Sequence, residues 1–304
     1  MSDDMENLIK NILEKHNINY KKISKINIGF TNETYNIDNK YIVKLCVHDF
    51  NENRFKNEVN FIEKNQGKKY VLTLLNFNIK KHSFSHYYEV FEKFEGTTLY
   101  NVWHLLTETE RESVIKQLCD FMKDIHSFNQ TGYVYDWNKF ISDEIEFYIK
   151  KANRINYFSY EELQMIESAK LLFCKYLKSD GFTFIHNDIH FDNILYNNGI
   201  IKIIDFERCK MAPIDFELSV FFRMVNMPKL YANKEIKNYV ELEDYRFIPI
   251  YIKKYYPELL SATYLEQRLA IYNVLDFTKR GIRHPDDKNI KKNLIINLKK
   301  IINK

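Results

Sequence analysis

The chain has 304 residues, 45% hydrophobic and 28% charged, with a formal net charge of +4. That is enough apolar residue for one large core or two smaller ones, and it excludes a disordered or fibrous chain. No apolar run approaches the ~20 residues needed to span a bilayer, and the acidic start MSDDMENLIK is not a secretory leader, so a cytoplasmic protein without a membrane partner is expected.

Residues 5–18 read as an amphipathic helix with Leu8, Ile12 and Leu13 on one side. A strand follows at 22–28. Segments 33–37 and 41–47 flank Asp38-Asn39-Lys40 and read as a hairpin. In its second arm Tyr41, Val43, Leu45 and Val47 share one face, and Ile42, Lys44 and Cys46 the other. Residues 51–65 return to helical spacing through Phe55, Val59 and Ile62. Further strands are predicted at 70–79 and 86–94. After Gly96 the pattern turns helical, most clearly at 108–127, 140–154 and 160–178. A second hairpin spans 193–206, where Asn198-Gly199 is a two-residue turn signal. From about 215 the chain reads as helical again, and 288–304 as a Lys-rich amphipathic helix. The expectation is an α+β architecture: a strand-rich domain over 1–95, a short hinge near 92–98, and a helical domain over 96–304.

The segment with chemistry in it is Phe184-Ile-His-Asn-Asp188-Ile-His-Phe-Asp-Asn193-Ile-Leu, followed by Ile203-Ile-Asp205-Phe206-Glu207. Asp188 precedes Asn193 as in the kinase catalytic-loop pattern H-R-D-x-x-x-x-N, and Asp205-Phe206 stands where a kinase has D-F-G. A hydroxyl attacking a phosphoryl group must be oriented and deprotonated, and a carboxylate can take that proton. Magnesium takes oxygen ligands, which an Asn amide and an Asp carboxylate supply. A tight turn at Asn198-Gly199 would bring Asn193 and Asp205 close enough to share one ion.

These residues resemble the aminoglycoside phosphotransferase and choline kinase-like family, whose stretch H-x-D-x-H-x-x-N-I-L and I-D-[FW]-E is filled by His186, Asp188, His190, Asn193, Ile194, Leu195, Ile204, Asp205, Phe206 and Glu207. The resemblance implies a two-lobed protein-kinase-like fold, an N-terminal nucleotide-binding lobe and a C-terminal catalytic and substrate lobe. It implies transfer of the γ-phosphate of ATP or GTP, with Mg2+, to a hydroxyl of a small molecule such as an aminoglycoside or amino alcohol, a reaction that can confer antibiotic resistance. Asp188 would be the base, and Asn193 and Asp205 the magnesium ligands. Lys44 would meet the phosphates and Glu58 position it. Thr31 and Asn32, in a covering turn with the single glycine Gly29, would lie over the triphosphate. Backbone groups from Glu92 to Phe94 would meet the purine. A monomer without a nucleic-acid partner is expected, since the basic residues are scattered among acidic ones.

Other residues have plainer readings. His126 fits a core histidine at a helix end. Asp215 fits a helix cap or a brace for the catalytic loop. Cys46, Cys119, Cys174 and Cys209 show no Cys-x-x-Cys spacing and are expected reduced and buried. Asp143, Glu144 and Glu146 could line a cationic pocket or form a solvated helix face. Residues 226–304 carry sixteen Lys and Arg against nine Asp and Glu, the wrong sign for an acidic bowl. Two alternatives remain: a protein kinase, which needs an activation segment longer than Asp205 to Asp215 allows, and a kinase-fold binding protein without catalysis.

Overall fold

The computed structural model describes residues 3–26, 32–80, 86–128, 135–178, 181–232 and 234–303. The strands are β1 (Ile23–Ile26), β2 (Glu33–Ile37), β3 (Tyr41–Cys46), β4 (Leu74–Asn78), β5 (Tyr87–Glu92), β6 (Thr97–Thr98), β7 (Thr183–Ile185), β8 (Ile194–Asn197), β9 (Ile200–Ile203) and β10 (Lys210–Ala212). The helices are α1 (Asp3–Lys15), α2 (Glu52–Lys64), α3 (Leu99–Val102), α4 (Glu108–His126), α5 (Trp137–Asn153), α6 (Tyr160–Lys170), α7 (Phe173–Tyr176), α8 (Leu218–Asn226), α9 (Pro228–Tyr231), α10 (Ile248–Tyr255), α11 (Leu265–Arg283) and α12 (Lys288–Ile302). No described helix is long and apolar enough to cross a membrane. The chain groups into two units, Met1–Val102 with Phe191–Cys209, and Trp103–His190 with Lys210–Lys304.

The first unit is built on an antiparallel sheet of order β1-β2-β3-β5-β4. Strand alternation assigns its two faces. Val43 and Leu45 of β3 are buried with Tyr35, Ile37, Tyr88 and Val90 beneath Ile9, Ile12 and Leu13 of α1. Cys46 points the other way and packs with Phe55 and Val59 of α2 and Tyr87 of β5. Lys44 shares the parity of Cys46, so it is delivered to the α2 face. Two hairpins set the registers. Asp38 and Asn39 both have positive φ, at 51° and 59°, as do Asn198 and Gly199, at 46° and 84°. Such turns match the right-handed twist of the paired strands. The β8–β9 hairpin joins β6 in a small sheet, and Ile203 bridges to Val71 in parallel. That bridge is all that forms in the first part of the strand expected at 70–79. Gly96 is needed for a close approach: a Cβ there would lie 2.7 Å from the Tyr196 carbonyl oxygen.

The second unit is mainly helical. Capping boxes start α4 (Thr107 with Glu110) and α6 (Ser159 with Glu162), satisfying amide donors that a helix start leaves open. The main core gathers Trp137, Ile141 and Ile145 of α5, Ile271 and Val274 of α11, and Leu294 and Leu298 of α12. The apolar period of 288–304 thus faces inward, as expected of an amphipathic helix. The helix expected over 160–178 is two pieces, turning at Leu171-Leu172 before α7, and neither Gly nor Pro marks the break. The helix expected at 140–154 begins earlier, at Trp137, because Asp136 caps it by accepting the Lys139 amide.

Asp215 is not a cap. It is 1% exposed and takes a two-pronged ion pair from Arg268, at 2.7 and 2.6 Å, with a third bond from the Tyr272 hydroxyl at 2.9 Å. Arg268 also donates to the carbonyls of Tyr176 and Lys178. A buried charge needs such saturation. Cys46, Cys119 and Cys209 are buried, but Cys174 is exposed, because α7 turns that side of the chain outward.

Candidate active site

In the first unit, four acidic side chains converge on Lys44. Its ammonium is bound by Glu58 of α2, lies 2.9 Å from Glu207 and 3.8 Å from Asp205. Glu58 is helix-delivered: Phe55, Val59 and Ile62 pin α2 to the sheet, and Glu58 falls on the edge of that buried stripe. Glu63, on the same helix, is exposed. The other oxygen of Glu58 accepts the Phe206 amide at 3.3 Å, and the Phe206 ring stacks on Phe61 of α2 with centroids 4.3 Å apart. Asn32, just before β2, donates its side-chain amide to Glu207. The Asp205–Glu207 turn is therefore tied to α2, to β3 and to the start of β2.

Glu89 of β5 was not legible as a site residue. It is the register partner of Lys44, is 0% exposed, and neither of its carboxyl oxygens has a hydrogen-bond partner among the described residues. The only sequence signal was its place in Tyr87-Tyr-Glu-Val-Phe91, an acid among apolar neighbours opposite a lysine. Burial, reinforced by the charge of Glu58, holds its pKa well above the usual carboxylate range. Glu58 itself is pushed up to about 7 by burial, against the pull of Lys44. Burial would discharge Lys44, but Glu58, Asp205 and Glu207 outweigh it and keep the ammonium charged.

Asn193 closes a single-turn helix that leads into β8, and its carbonyl accepts the Ile204 amide at 3.0 Å. The hairpin thus brings Asn193 and Asp205 to the same end, as the Asn198-Gly199 turn implied. Asp205 sits in the left-handed region at φ 65°, and its side chain is 38% exposed, the most open carboxylate of the cluster. An amide and an open carboxylate are hard oxygen donors that suit magnesium. Glu58, Asp205 and Glu207 can also offer one oxygen each within 4.8 Å of one another, although the Lys44 ammonium lies among them. Glu92 ends β5 with an exposed side chain, and Phe94 is half-buried against Gly96. Thr31 and Gly29 lie outside the described residues.

Asp188 belongs to the second unit, in the loop after β7. Its side chain is 14% exposed, with His190 Nε2 4.0 Å from its carboxylate. The loop before it is held by a residue that sequence reasoning passed over. Glu217 accepts the backbone amides of His186 and Asn187 at 2.7 and 2.8 Å. Asn187 has φ 63°, a conformation Asn tolerates. Burial would raise the Glu217 pKa, but His126 and the amide bonds outweigh it and lower it. His126 bonds Glu217 and the Tyr256 hydroxyl, at 3.3 and 2.9 Å, which is the core role expected of it.

The acidic residues of α5 each stand beside a lysine. Asp143 pairs with Lys139, Glu146 with Lys150, and Glu144 with Lys279, on a largely solvated face. From Asp205 onward the chain is used up by the turn Phe206–Arg208, strand β10 and the turn Ile214–Glu217 before α8 begins. No length is left for a peptide-docking activation segment.

No curated protein matches the sequence. Among solved structures, the ADP-bound aminoglycoside phosphotransferase APH(2'')-Ib is similar at a TM-score of 0.67, with 15% identity over 97% of this chain and 98% of that one. The streptomycin–ATP ternary complex of APH(2'')-IIa gives 0.65, with 16% identity over 99% of both chains. The GDP and kanamycin complex of an APH(2'') enzyme gives 0.67, with 14% identity over 99% and 98%. These likenesses show the protein-kinase-like α+β fold. The family model described as APH, phosphotransferase enzyme family, matches residues 22–242, and this chain belongs to that family.

Proposed function

We propose that the protein transfers the γ-phosphate of ATP or GTP, with magnesium, to a hydroxyl of a small molecule. The observation that carries this reading is the tie of Lys44 to Glu58 and to the Asp205–Glu207 turn, in a chain whose sequence also holds the complete motif from Asp188 to Asn193. In this reading Lys44 neutralises triphosphate charge, and Glu58 keeps it extended along the sheet. Asn193 and Asp205 hold the magnesium, which draws charge off the phosphoryl oxygens when bound. Asp188 accepts a hydrogen bond from the acceptor hydroxyl, orients it, and takes its proton as the bond to phosphorus forms. Glu217 keeps the loop carrying Asp188 in place through two backbone amides. Asn32 and Thr31 cover the triphosphate, and the backbone from Glu92 to Phe94 meets the base.

Aminoglycosides, which solved neighbours hold, and amino alcohols stand at the cationic end of the acceptors to be tried. Sugars and hydroxy acids stand at the other. A protein acceptor is disfavoured by the short connection between Asp205 and α8. Asp188→Asn tests the assignment. Nucleotide affinity should stay close to wild type while turnover falls ~10²–10⁴-fold, the usual worth of a general base. Turnover within a few-fold of wild type would remove Asp188 from that role.

A further inference from the structure

The second unit contains a charged network that the proposed chemistry does not use. It begins next to Asp188, at His190. His190 lies beside that carboxylate, and its ring faces Tyr231 of α9 with centroids 5.9 Å apart. The Tyr231 hydroxyl accepts from Arg223 Nε at 2.9 Å and from Arg280 Nη2 at 3.4 Å, and the Arg280 guanidinium lies over the Tyr231 ring at 5.3 Å. Both guanidinium groups share one carboxylate, Asp276 of α11, through Nε at 3.1 and 2.6 Å. Arg223 also donates to Asn273 at 2.9 Å.

The stoichiometry differs from that of a structural pair. Arg268 and Asp215, one cation and one anion, are both closed off from solvent and complete each other. Here two guanidinium groups meet a single carboxylate, while the nearby Lys279 is already paired with Glu144. Burial would raise the Asp276 pKa, but Arg223 and Arg280 outweigh it and hold it low. Asp276 is therefore ionised and already shared. Arg223 is buried, whereas the side chain of Arg280 is 26% exposed and that of Asp276 24%. The network thus has a sealed end and an open end, and its surplus charge is positive. A polycationic acceptor would find no spare carboxylate on it. The acids of α5 are occupied by Lys139, Lys150 and Lys279.

We infer that the hydroxyl acceptor carries an anionic group, a carboxylate or a phosphate ester, and that Arg280, braced by Tyr231 and Asp276, binds it. This rests on Asp188 as the base, since the network is reached from Asp188 through His190. A planar guanidinium fork matches either anion with paired hydrogen bonds. Stacking on Tyr231 and the bond to Asp276 hold the fork in one orientation, so little freedom is lost when the anion arrives.

The test is a nucleotide-consumption assay over a library of hydroxyl compounds sorted by charge: hydroxy acids, sugar phosphates, neutral sugars and polyols, amino alcohols, and aminoglycosides including kanamycin. The carboxylate and phosphate arms distinguish the two anions. The best anionic acceptor should exceed the best neutral or cationic one by about tenfold in kcat/KM. Arg280→Gln should raise the KM for that acceptor about tenfold with kcat changed far less, whereas Arg280→Lys, which keeps the charge, should recover part of the loss. Nucleotide affinity of each variant, measured by calorimetry, reports whether the fold is intact. Preference for an aminoglycoside or amino alcohol would overturn the anionic acceptor and leave the proposed phosphotransfer standing. An unchanged KM in Arg280→Gln would overturn the assignment of Arg280. If no small molecule is phosphorylated, both fail.

Discussion

Two charged centres of this molecule are built on opposite arithmetic. Around Lys44, one ammonium sits among Glu58, Glu89, Asp205 and Glu207. Around Asp276, one carboxylate sits between two guanidinium groups. The Arg268–Asp215 pair, matched one to one and buried, shows what a purely structural bridge looks like here. Desolvated charge is costly, and an unmatched excess is costlier. The first centre has more carboxyl groups than cations and the second more cations than carboxylates, which the proposed magnesium ion and the proposed anionic acceptor would offset.

The largest effect should come from unbalancing the first centre. Lys44→Met should cut turnover by at least about a hundredfold, because a buried cation facing transition-state charge is worth several kcal/mol. Asp205→Asn should raise the magnesium concentration giving half-maximal rate about tenfold or more, since one hard oxygen ligand loses its charge. A rate titration against magnesium decides it, and an unshifted midpoint would exclude Asp205 as a ligand. Breaking the balanced pair comes next and is a matter of stability. Asp215→Ala strands Arg268 and should cost ~3–5 kcal/mol in urea denaturation, with Asp215→Ala/Arg268→Met regaining most of it. If the single and double variants are equally unstable, the pair is not the cause.

The smallest effect concerns Glu89. Its folded-state pKa is raised by burial, so between the unfolded value near 4.5 and the folded one the native state holds the extra proton. Stability tied to that proton is full below the unfolded pKa and is lost as pH rises through the folded one. Glu89→Gln, neutral at every pH, should therefore melt like wild type at pH 4 and be more stable at pH 8, by on the order of 1 kcal/mol. Equal melting curves at both pH values would show that Glu89 ionises without penalty.

Much of this was legible in the sequence because the signals were local. The 41–47 alternation assigns Lys44 to a face, the Phe55–Ile62 period orients Glu58, and Asn198-Gly199 returns Asn193 toward Asp205. Glu217 and Glu89 were illegible for the opposite reason. Their roles come from contacts with residues distant in the chain, a loop some thirty residues back and a neighbouring strand. Arg223 follows the run Leu218-Ser-Val-Phe-Phe222 as a charge on a mostly apolar helix, and its partners Asp276, Asn273 and Tyr231 lie on other helices. The Asp143, Glu144 and Glu146 cluster left pocket and solvated face both open, because a run of acids cannot show that each has a lysine beside it.

The division of the chain has a consequence for its synthesis. The first unit takes its last segment, Phe191–Cys209, from beyond the first half of the second. That segment supplies Phe206 to the Phe61 ring and Ile203 to the Val71 bridge. The second unit in turn awaits Arg268 before Asp215 is neutralised. Neither half can finish as it leaves the ribosome in order, although domains commonly do so. Helix α2 leaves the ribosome well before the Phe206 ring that stacks on its Phe61, and that contact forms only once roughly two-thirds of the protein has been made.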